Sequence, residues 1–289
     1  MKFIIDILRG MVIGLANIIP GVSGGTMMVS MGIYDTLIHC ITNLFKQFKK
    51  SVMTLLPYAV GMVLAIALGA FGLKAAFAKF ALPTNALFIG LIIGSVPMIL
   101  KQMKGSKKGM PGVVIFLLFF AAVVLLKVFE NPNNKVGVTV NLWSIILLFL
   151  LGCISSATMV IPGVSGSMIL KTLGYYEPIV TDGITGFLSA LKAGNMDGIL
   201  QGIGMLLPFG IGIVVGIFAI AKLIEVLLRK WKGLTYCAIL GMVLASPVAI
   251  LMAGEIYAGV NAWIIVASVV TFALGLLVAW KLGGDPEKA

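Results

Sequence analysis

A string of eighteen residues occurs twice in this chain, and this duplication constrains the fold more than any other feature of the sequence. IIPGVSGGTMMVSMGIYD begins at residue 18 and VIPGVSGSMILKTLGYYE begins at residue 160; eight of the eighteen positions are identical, and no gap is needed. Two further pairs follow in the same order, LLPYAVGMVLAI with LLPFGIGIVVGI and GLIIGSVP with GMVLASP. The shared order indicates two related halves.

Long apolar runs place these halves in a membrane. Sixty per cent of the 289 residues are hydrophobic and only 11% are charged. A helix needs about twenty apolar residues to cross a hydrocarbon core about 30 Å thick. Runs of about this length occur near 53–73, 84–100, 111–127, 203–228 and 261–280, and a further apolar run contains GMVLASP at 241–247. The sequence therefore predicts an all-α integral membrane protein with a retained N-terminus, because Asp6 and Arg9 interrupt what would be a signal peptide.

The order of segments predicts that the two halves are inverted relative to each other. Each half has a segment before PGVSG, an arm after it and three longer runs, and this odd number of segments reverses the second half. Basic residues precede the run at 53–73 but follow the matching run at 203–228. Because loops rich in Lys and Arg stay in the cytoplasm, the two runs would cross the membrane in opposite directions. We expect repeats at 1–135 and 136–289 in a single membrane domain of the bacterial inner membrane, with both termini cytoplasmic.

The segments around PGVSG are short for membrane helices. The uncharged arms at 11–19 and 20–32 would cover roughly 14–20 Å, about half a bilayer. They predict a re-entrant hairpin in each half, with tips at 20–26 and 162–168 that meet near the midplane, followed by about three transmembrane helices. The segment 142–161 is long enough to span, so full crossing remains an alternative.

Glycine, serine and the start of a helix favour an anion site at these tips, where proline ends the preceding arm. Glycine lets backbone N–H groups converge, serine adds a hydroxyl donor, and the helix that follows points its N-terminus at the loop. Asn17 and Thr158 on the entering arms are lesser candidates. The predicted substrate-binding residues are Gly21, Val22, Ser23, Gly24, Gly25, Thr26, Gly163, Val164, Ser165, Gly166 and Ser167.

Four ionisable residues near the repeated strings are further candidates. Lys171 would neutralise a buried anion or reach out to the outer interface, and Arg9 would bind the substrate or mark the cytoplasmic interface. Asp35 and Glu177 occupy equivalent positions, which fits proton or ion coupling as well as capping of the helix that follows.

The remaining composition excludes two classes of function. The net charge of +11 lies in short clusters between apolar runs, where topology explains it, so no nucleic-acid partner is expected. Cys40, Cys153, Cys237 and His39 lack metal-ligand spacing. We expect no metal and no cofactor.

The strings IIPGVSGGT and VIPGVSGSM resemble the bacterial polyprenyl-phosphate transporter family, and the resemblance covers nearly the whole chain. It implies recycling of undecaprenyl phosphate, the lipid carrier of cell-wall peptidoglycan synthesis, from the outer to the inner leaflet. Only residues 20–26 and 162–167 carry the family's motif. We therefore expect a lipid flippase that holds the phosphate in two PGVSG loops at the midplane and works by alternating access.

Two other functions remain open alternatives. The motif is similar to the PG-x-SRSG loop of undecaprenyl-pyrophosphate phosphatases, but the arginine is missing here and no Asp or Glu lies between Gly10 and Tyr34. Hydrolysis would therefore lack an obvious base, and we do not expect an enzyme. A transporter of another small anion fits the same architecture.

Overall fold

Helices form nearly all of the chain described by the computed structural model, which covers residues 2–18, 23–106, 109–130, 136–138, 141–257 and 259–282. A seven-residue π-helix at Glu177–Gly183 and a short 3-10 helix at Gly254–Tyr257 accompany ten α-helices in these ranges. The α-helices are α1 (Lys2–Ile18), α2 (Gly24–Ser30), α3 (Tyr34–Thr42), α4 (Phe48–Gln102), α5 (Gly109–Val128), α6 (Leu142–Val160), α7 (Gly166–Thr172), α8 (Ile184–Ala193), α9 (Met196–Leu251) and α10 (Ala262–Leu282).

Six helical segments in the described ranges are long and apolar enough to cross a membrane. They are Phe48–Ala65, Lys79–Gln102, Gly109–Val128, Leu142–Val160, Met196–Leu251 and Ala262–Lys281. Helices satisfy their own backbone hydrogen bonds, which lipid cannot do. The prediction of an all-helical, multi-pass membrane protein is confirmed.

The two longest helices bend at equivalent residues. α4 has 55 residues and α9 has 56, so α9 would extend about 84 Å if it were straight, far more than one bilayer. Helical backbone geometry is lost at Phe80 (φ −138°, ψ 53°) and at Trp231 (φ −137°, ψ 50°). The alignment that pairs Leu55 with Leu206 also pairs these two residues. Each helix therefore has a first leg before the bend and a second leg after it.

The first legs pack against the helix that precedes the motif in the same half. α1 lies along α4 and α6 lies along α9. Gly10 contacts the backbone of Tyr58, and its equivalent Gly152 contacts the backbone of Phe209. A side chain at either glycine would overlap the facing carbonyl oxygen, so glycine permits the close approach of the helices.

The second legs pack against the last helix of the other half. α5 lies along α9, where Gly241 contacts the backbone of Phe116, and α10 lies along α4, where Gly90 contacts the backbone of Phe272. The two halves therefore exchange their last helices.

Burial separates the centre of the protein from its lipid-facing surface. All seven residues of α2 are buried, and Met27 and Thr26 are fully so. By contrast, α5 and α10 expose apolar side chains such as Val113, Leu117 and Val269. An apolar exterior around a central segment with polar groups is the arrangement expected in lipid, because irregular backbone at membrane depth must be enclosed by protein.

Candidate functional site

The two copies of the motif lie against each other at the centre of the protein. The Gly163 N–H donates a hydrogen bond of 2.7 Å to Thr26 Oγ1. The Ser23 hydroxyl donates one of 3.3 Å to the Ile161 carbonyl, across 138 residues of sequence. Gly21 and Val22 lie outside the described residues. The described part of each motif therefore contacts the other copy directly.

Ser23 and Ser165 have the same conformation and the same place in their helices. Both have extended backbone, with φ and ψ of −109° and 133° in Ser23 and −99° and 134° in Ser165, and each precedes a seven-residue helix. Neither serine caps its helix with its own hydroxyl. Because each helix is only about 11 Å long, its dipole is small and the side-chain donors matter more.

Gly163 adopts a backbone conformation that other residues rarely adopt, with φ at +84°. A Cβ at this position would also overlap the carbonyl oxygen of Met242 on the second leg of α9. Positive φ and steric overlap each disfavour a side chain. The second motif thus packs its turn directly on the α9 backbone.

Replacing Gly163 by alanine is expected to destabilise the protein by about 2–4 kcal/mol, because strain and overlap add. The measurement is thermal unfolding of the detergent-purified protein. Gly210→Ala is the matched control, since Gly210 is helical and has no neighbouring atom within 4 Å of an added Cβ. That variant is expected to be neutral or stabilised by up to about 1 kcal/mol. Equal losses in both variants would contradict this account of Gly163.

A cavity of about 210 Å³ opens beside the contact between the motifs. Side chains with a hydroxyl or amide group and apolar residues both line it, and no charged side chain contributes to it in the described part of the chain. The first half contributes two residues and the second half contributes the rest. The lining residues are Asn17, Ser23, Ser155, Thr158, Met159, Val164, Ser165, Gly166, Ser167, Leu170, Tyr176, Val180, Phe209 and Ile213.

Several hydrogen-bond donors in this cavity remain available to a ligand. Asn17 Oδ1 accepts the Gly24 N–H at 3.1 Å, and no described residue accepts from the Asn17 amide. Ser165 and Ser167 share one hydrogen bond of 2.8 Å, so one of their two hydroxyl protons has no acceptor among the described residues. No described residue engages the Ser155 hydroxyl. Thr158 and Ser23 instead donate to backbone carbonyls and offer only lone pairs.

Most of the motif residues predicted from the sequence lie at or against this cavity. Ser23, Val164, Ser165, Gly166 and Ser167 line it, as do the lesser candidates Asn17 and Thr158. Of the other described motif residues, Thr26, Gly25 and Gly163 pack in the contact between the motifs, and Gly24 packs against Asn17.

Ser155 and Tyr176 also line the cavity, although the sequence did not predict them as parts of the site. Ser155 precedes Thr158 by three residues, so both lie on one face of α6, and this spacing was the available signal.

Lys171 lies beside the cavity wall. Its ammonium is 5.2 Å from the centre of the Tyr176 ring, and that ring lines the cavity. A cation over an aromatic face is attracted by the negative charge density of the ring. The contact with Tyr176 therefore holds the Lys171 ammonium beside the cavity wall.

Arg9 does not line this cavity. Its guanidinium donates to Asp6 Oδ1 at 3.1 Å, and Tyr58 donates its hydroxyl to the same oxygen at 2.8 Å. These three side chains join α1 to the first leg of α4. The prediction that Arg9 binds substrate is not supported by its position in this conformation.

The equivalent carboxylates Asp35 and Glu177 have different surroundings. Both Asp35 oxygens accept hydrogen bonds from the Tyr236 hydroxyl at 2.9 Å, rather than capping α3. Glu177 begins the π-helix that carries the cavity residue Val180. Asp35 is thus hydrogen-bonded to α9, whereas Glu177 is near the cavity residue Val180 in sequence.

Comparison with known proteins assigns the chain to a family. The undecaprenyl phosphate translocase-like family matches residues 13–264. The chain belongs to this family. This match includes both motifs, the cavity residues, the end of α1 and all of α2 to α9, and it confirms the resemblance found in the sequence.

Two translocase-like relatives carry a functional name. The polyprenyl-phosphate transporter of Staphylococcus aureus is 29% identical over 285 residues, which covers 96% of this chain and 95% of the relative. The polyprenyl-phosphate transporter of Vibrio cholerae is 28% identical over 261 residues, covering 85% and 77%. No solved structure matches the chain.

Proposed function

We propose that this protein transports polyprenyl phosphate, and undecaprenyl phosphate in particular, between the leaflets of the bacterial inner membrane. The observation that carries the proposal is the hydroxyl- and amide-lined cavity at the contact between the two motifs. Similarity to two polyprenyl-phosphate transporters supports the choice of lipid. The phosphate occupies the cavity, and the polyprenyl chain remains in lipid.

The available donors suit a phosphate. The Asn17 amide, the Ser155 hydroxyl and the Ser165–Ser167 pair together provide about four free protons, and phosphate oxygens accept several hydrogen bonds each. Lys171 supplies the positive charge that a phosphate away from water requires, once its ammonium leaves the Tyr176 ring.

The lining also favours transport over hydrolysis. Among the described residues that line the cavity there is no Asp, Glu or His. A phosphatase needs a group that activates water or accepts a phosphoryl group and a general acid for the leaving group. The cavity provides hydrogen-bond donors without a base, which is suited to holding a phosphate and releasing it unchanged.

Alternating access between inverted repeats at 1–135 and 136–289 completes the proposal. The equivalent bends of α4 and α9 support a repeated architecture. Because α2 and α7 are each only about 11 Å long, neither crosses a bilayer alone, which supports re-entrant hairpins. We propose that both termini are cytoplasmic and that lipid moves from the outer to the inner leaflet, with a proton or another ion as the coupled species.

The decisive test follows a radiolabelled phosphate on undecaprenyl phosphate in vesicles that contain purified protein. A phosphatase added outside cleaves only lipid whose head group faces outward, so continued cleavage measures translocation. Wild-type protein is expected to make the inner-leaflet lipid accessible, and protein-free vesicles are not. No difference between these vesicles would refute the proposal. Release of inorganic phosphate from undecaprenyl pyrophosphate by the protein itself would favour the enzyme alternative.

Replacing Ser165 and Ser167 together by alanine is expected to slow translocation roughly tenfold or more, because two hydrogen-bonding groups worth about 0.5–1.5 kcal/mol each are lost. Thr172→Ala is the matched control on the same helix, since Thr172 donates to the Met168 carbonyl and does not line the cavity. The control is expected to remain within about twofold of wild type. Wild-type rates in the double variant would exclude this cavity as the phosphate site.

A further inference from the structure

Asp35 connects the first half of the chain to the second. It lies on α3, and both of its oxygens accept from Tyr236 on the second leg of α9, 201 residues away. The residue equivalent to Tyr236 in the first half is Asn85, which donates its amide to the Ala81 carbonyl in its own helix. The Asp35–Tyr236 contact therefore has no counterpart at Asn85, and the repeat does not explain it.

A small cavity adjoins Asp35. Its volume of about 10 Å³ is close to the minimum needed for one water molecule. The Tyr34 hydroxyl is buried and has no hydrogen-bond partner among the described residues. A buried hydroxyl without a partner is rare, and one water here would satisfy it. The cavity is lined by Val29, Gly32, Tyr34, Asp35, Met98, Ile99, Gln102 and Tyr236.

A wider, charged cavity also adjoins Asp35. It has a volume of about 320 Å³ and is lined by Asp35, Ile38, His39, Glu225, Leu228, Arg229 and Lys232. Asp35 lines both cavities, and the charged side chains of the wider cavity suit water. A proton can therefore reach the Asp35 carboxylate through the wider cavity.

The groups around Asp35 act in opposite directions on its charge. Tyr34 and His39 lie on α3, Gln102 ends α4, and Glu225, Arg229, Lys232 and Tyr236 lie on α9. α3 lies outside the six candidate membrane spans. Burial raises the pKa of Asp35 above its ordinary value, while the Tyr236 hydrogen bond and the Lys232 charge lower it less. Packing in this place therefore favours the neutral acid more than exposure to water would.

We propose that Asp35 is a proton-binding site, and that the proton on Asp35 holds α3 against the second leg of α9 in the present conformation. This proposal rests on the proposed transport function, for which it names the coupled ion. With the proton bound, Asp35 remains packed against Tyr236. When the proton leaves into the wider cavity, the charged carboxylate favours an arrangement in which water reaches it, and α3 separates from α9.

Linkage gives the direction of the pH effect. The conformation in which a carboxyl has the higher pKa binds the proton more tightly, so protons stabilise that conformation. The stabilisation is complete below the ordinary pKa of the carboxyl, near 3.8, and is lost as the pH rises through the raised value. Asp35→Asn mimics the protonated state, because an amide is neutral and its oxygen still accepts from Tyr236.

A distance measurement tests the proposal without any transport. Spin labels are placed at Thr36→Cys on α3 and Thr235→Cys on α9, after alanine replaces Cys40, Cys153 and Cys237, and the distance distribution is recorded between pH 4 and pH 9. With Asp35 intact, the short-distance population is expected to fall as the pH rises. In Asp35→Asn it is expected to remain high throughout.

Two outcomes of this measurement would overturn the proposal. One is a distance distribution that does not change with pH when Asp35 is present. The other is a pH response that survives in Asp35→Asn or disappears in His39→Gln, which would assign the titration to His39. Retention of the response in His39→Gln supports Asp35.

Translocation in vesicles separates this proposal from the proposed function. If wild-type protein moves undecaprenyl phosphate and an imposed pH gradient changes its rate severalfold, Asp35→Asn is expected to abolish that dependence. If the wild-type rate does not depend on the pH gradient, the proposal of proton coupling is wrong, but the proposed transport function is unaffected. If wild-type protein moves no lipid, the transport function is wrong, and the distance measurement still decides whether Asp35 binds the proton.

Discussion

Replacing Asp6 alone by leucine is expected to destabilise the protein by about 3 kcal/mol, because the substitution leaves the Arg9 guanidinium without its carboxylate. Asp6 is 7% exposed, and it accepts hydrogen bonds from both Arg9 and Tyr58. Removing one member of a buried ion pair typically costs 3–5 kcal/mol. The partial exposure of Arg9 places the expected loss at the low end of that range.

The repeat supplies a variant that should restore this stability. The positions equivalent to Asp6, Arg9 and Tyr58 in the second half are Leu148, Leu151 and Phe209, which pack together in an apolar cluster. The triple variant Asp6→Leu, Arg9→Leu and Tyr58→Phe copies that arrangement. Its free energy of unfolding is expected to lie within about 1.5 kcal/mol of the wild-type value, because a buried ion pair is often no more stabilising than apolar packing. Thermal unfolding in detergent measures both variants.

Two results would separate structure from function at these three residues. If the triple variant is as unstable as Asp6→Leu, the two halves do not pack equivalently and the argument from the repeat is wrong. If the triple variant is stable but no longer moves lipid, the polar residues serve transport. That second result would support the prediction that Arg9 contacts the substrate in another conformation.

Replacing Lys171 by methionine is expected to slow translocation at low lipid concentration by about 10- to 100-fold. Lys171 is the cation next to the cavity wall, and a hydrogen bond that involves a charged group contributes about 1.5–3 kcal/mol. Each 1.4 kcal/mol corresponds to a factor of ten in affinity. The initial rate of exposure of the radiolabelled phosphate provides the measurement.

Two further variants make the Lys171 result specific. Lys171→Arg keeps the charge and is expected to retain most of the rate. Lys192→Met removes a lysine at the end of α8 that does not line the cavity, and it is expected to have no effect. Wild-type rates in Lys171→Met would show that this lysine only reaches the membrane interface, as the alternative interpretation of the sequence has it.

The sequence predicted the meeting of the motifs but not the shape of the cavity between them. The two PGVSG loops were expected to hold the phosphate together, whereas the second half contributes most of the lining. The asymmetry follows from substitutions between the repeats. Ser155 and Thr158 stand where the first half has Ile13 and Ala16, so only one half provides hydroxyls there. Aligning the segments before PGVSG would have revealed this difference.

The contacts of single ionisable residues were not predictable in the same way. Apolar runs predict helices because their length matches the bilayer, and a repeat predicts symmetric contacts. The Asp35–Tyr236 hydrogen bond joins residues 201 positions apart, and the equivalent of Tyr236 is an asparagine. Neither periodicity nor repetition specifies such a pair, because it depends on how α3 is placed against α9.

The exchange of α5 and α10 means that the groups of helices that pack together differ from the segments that repeat in sequence. The second leg of α4 packs on α10 and the second leg of α9 packs on α5, so each group includes one helix from the other side of the repeat boundary. A chain cut near residue 135 would leave both fragments with an uncovered helix surface. During synthesis, the second leg of α4 also gains its α10 partner only after the ribosome has completed α10.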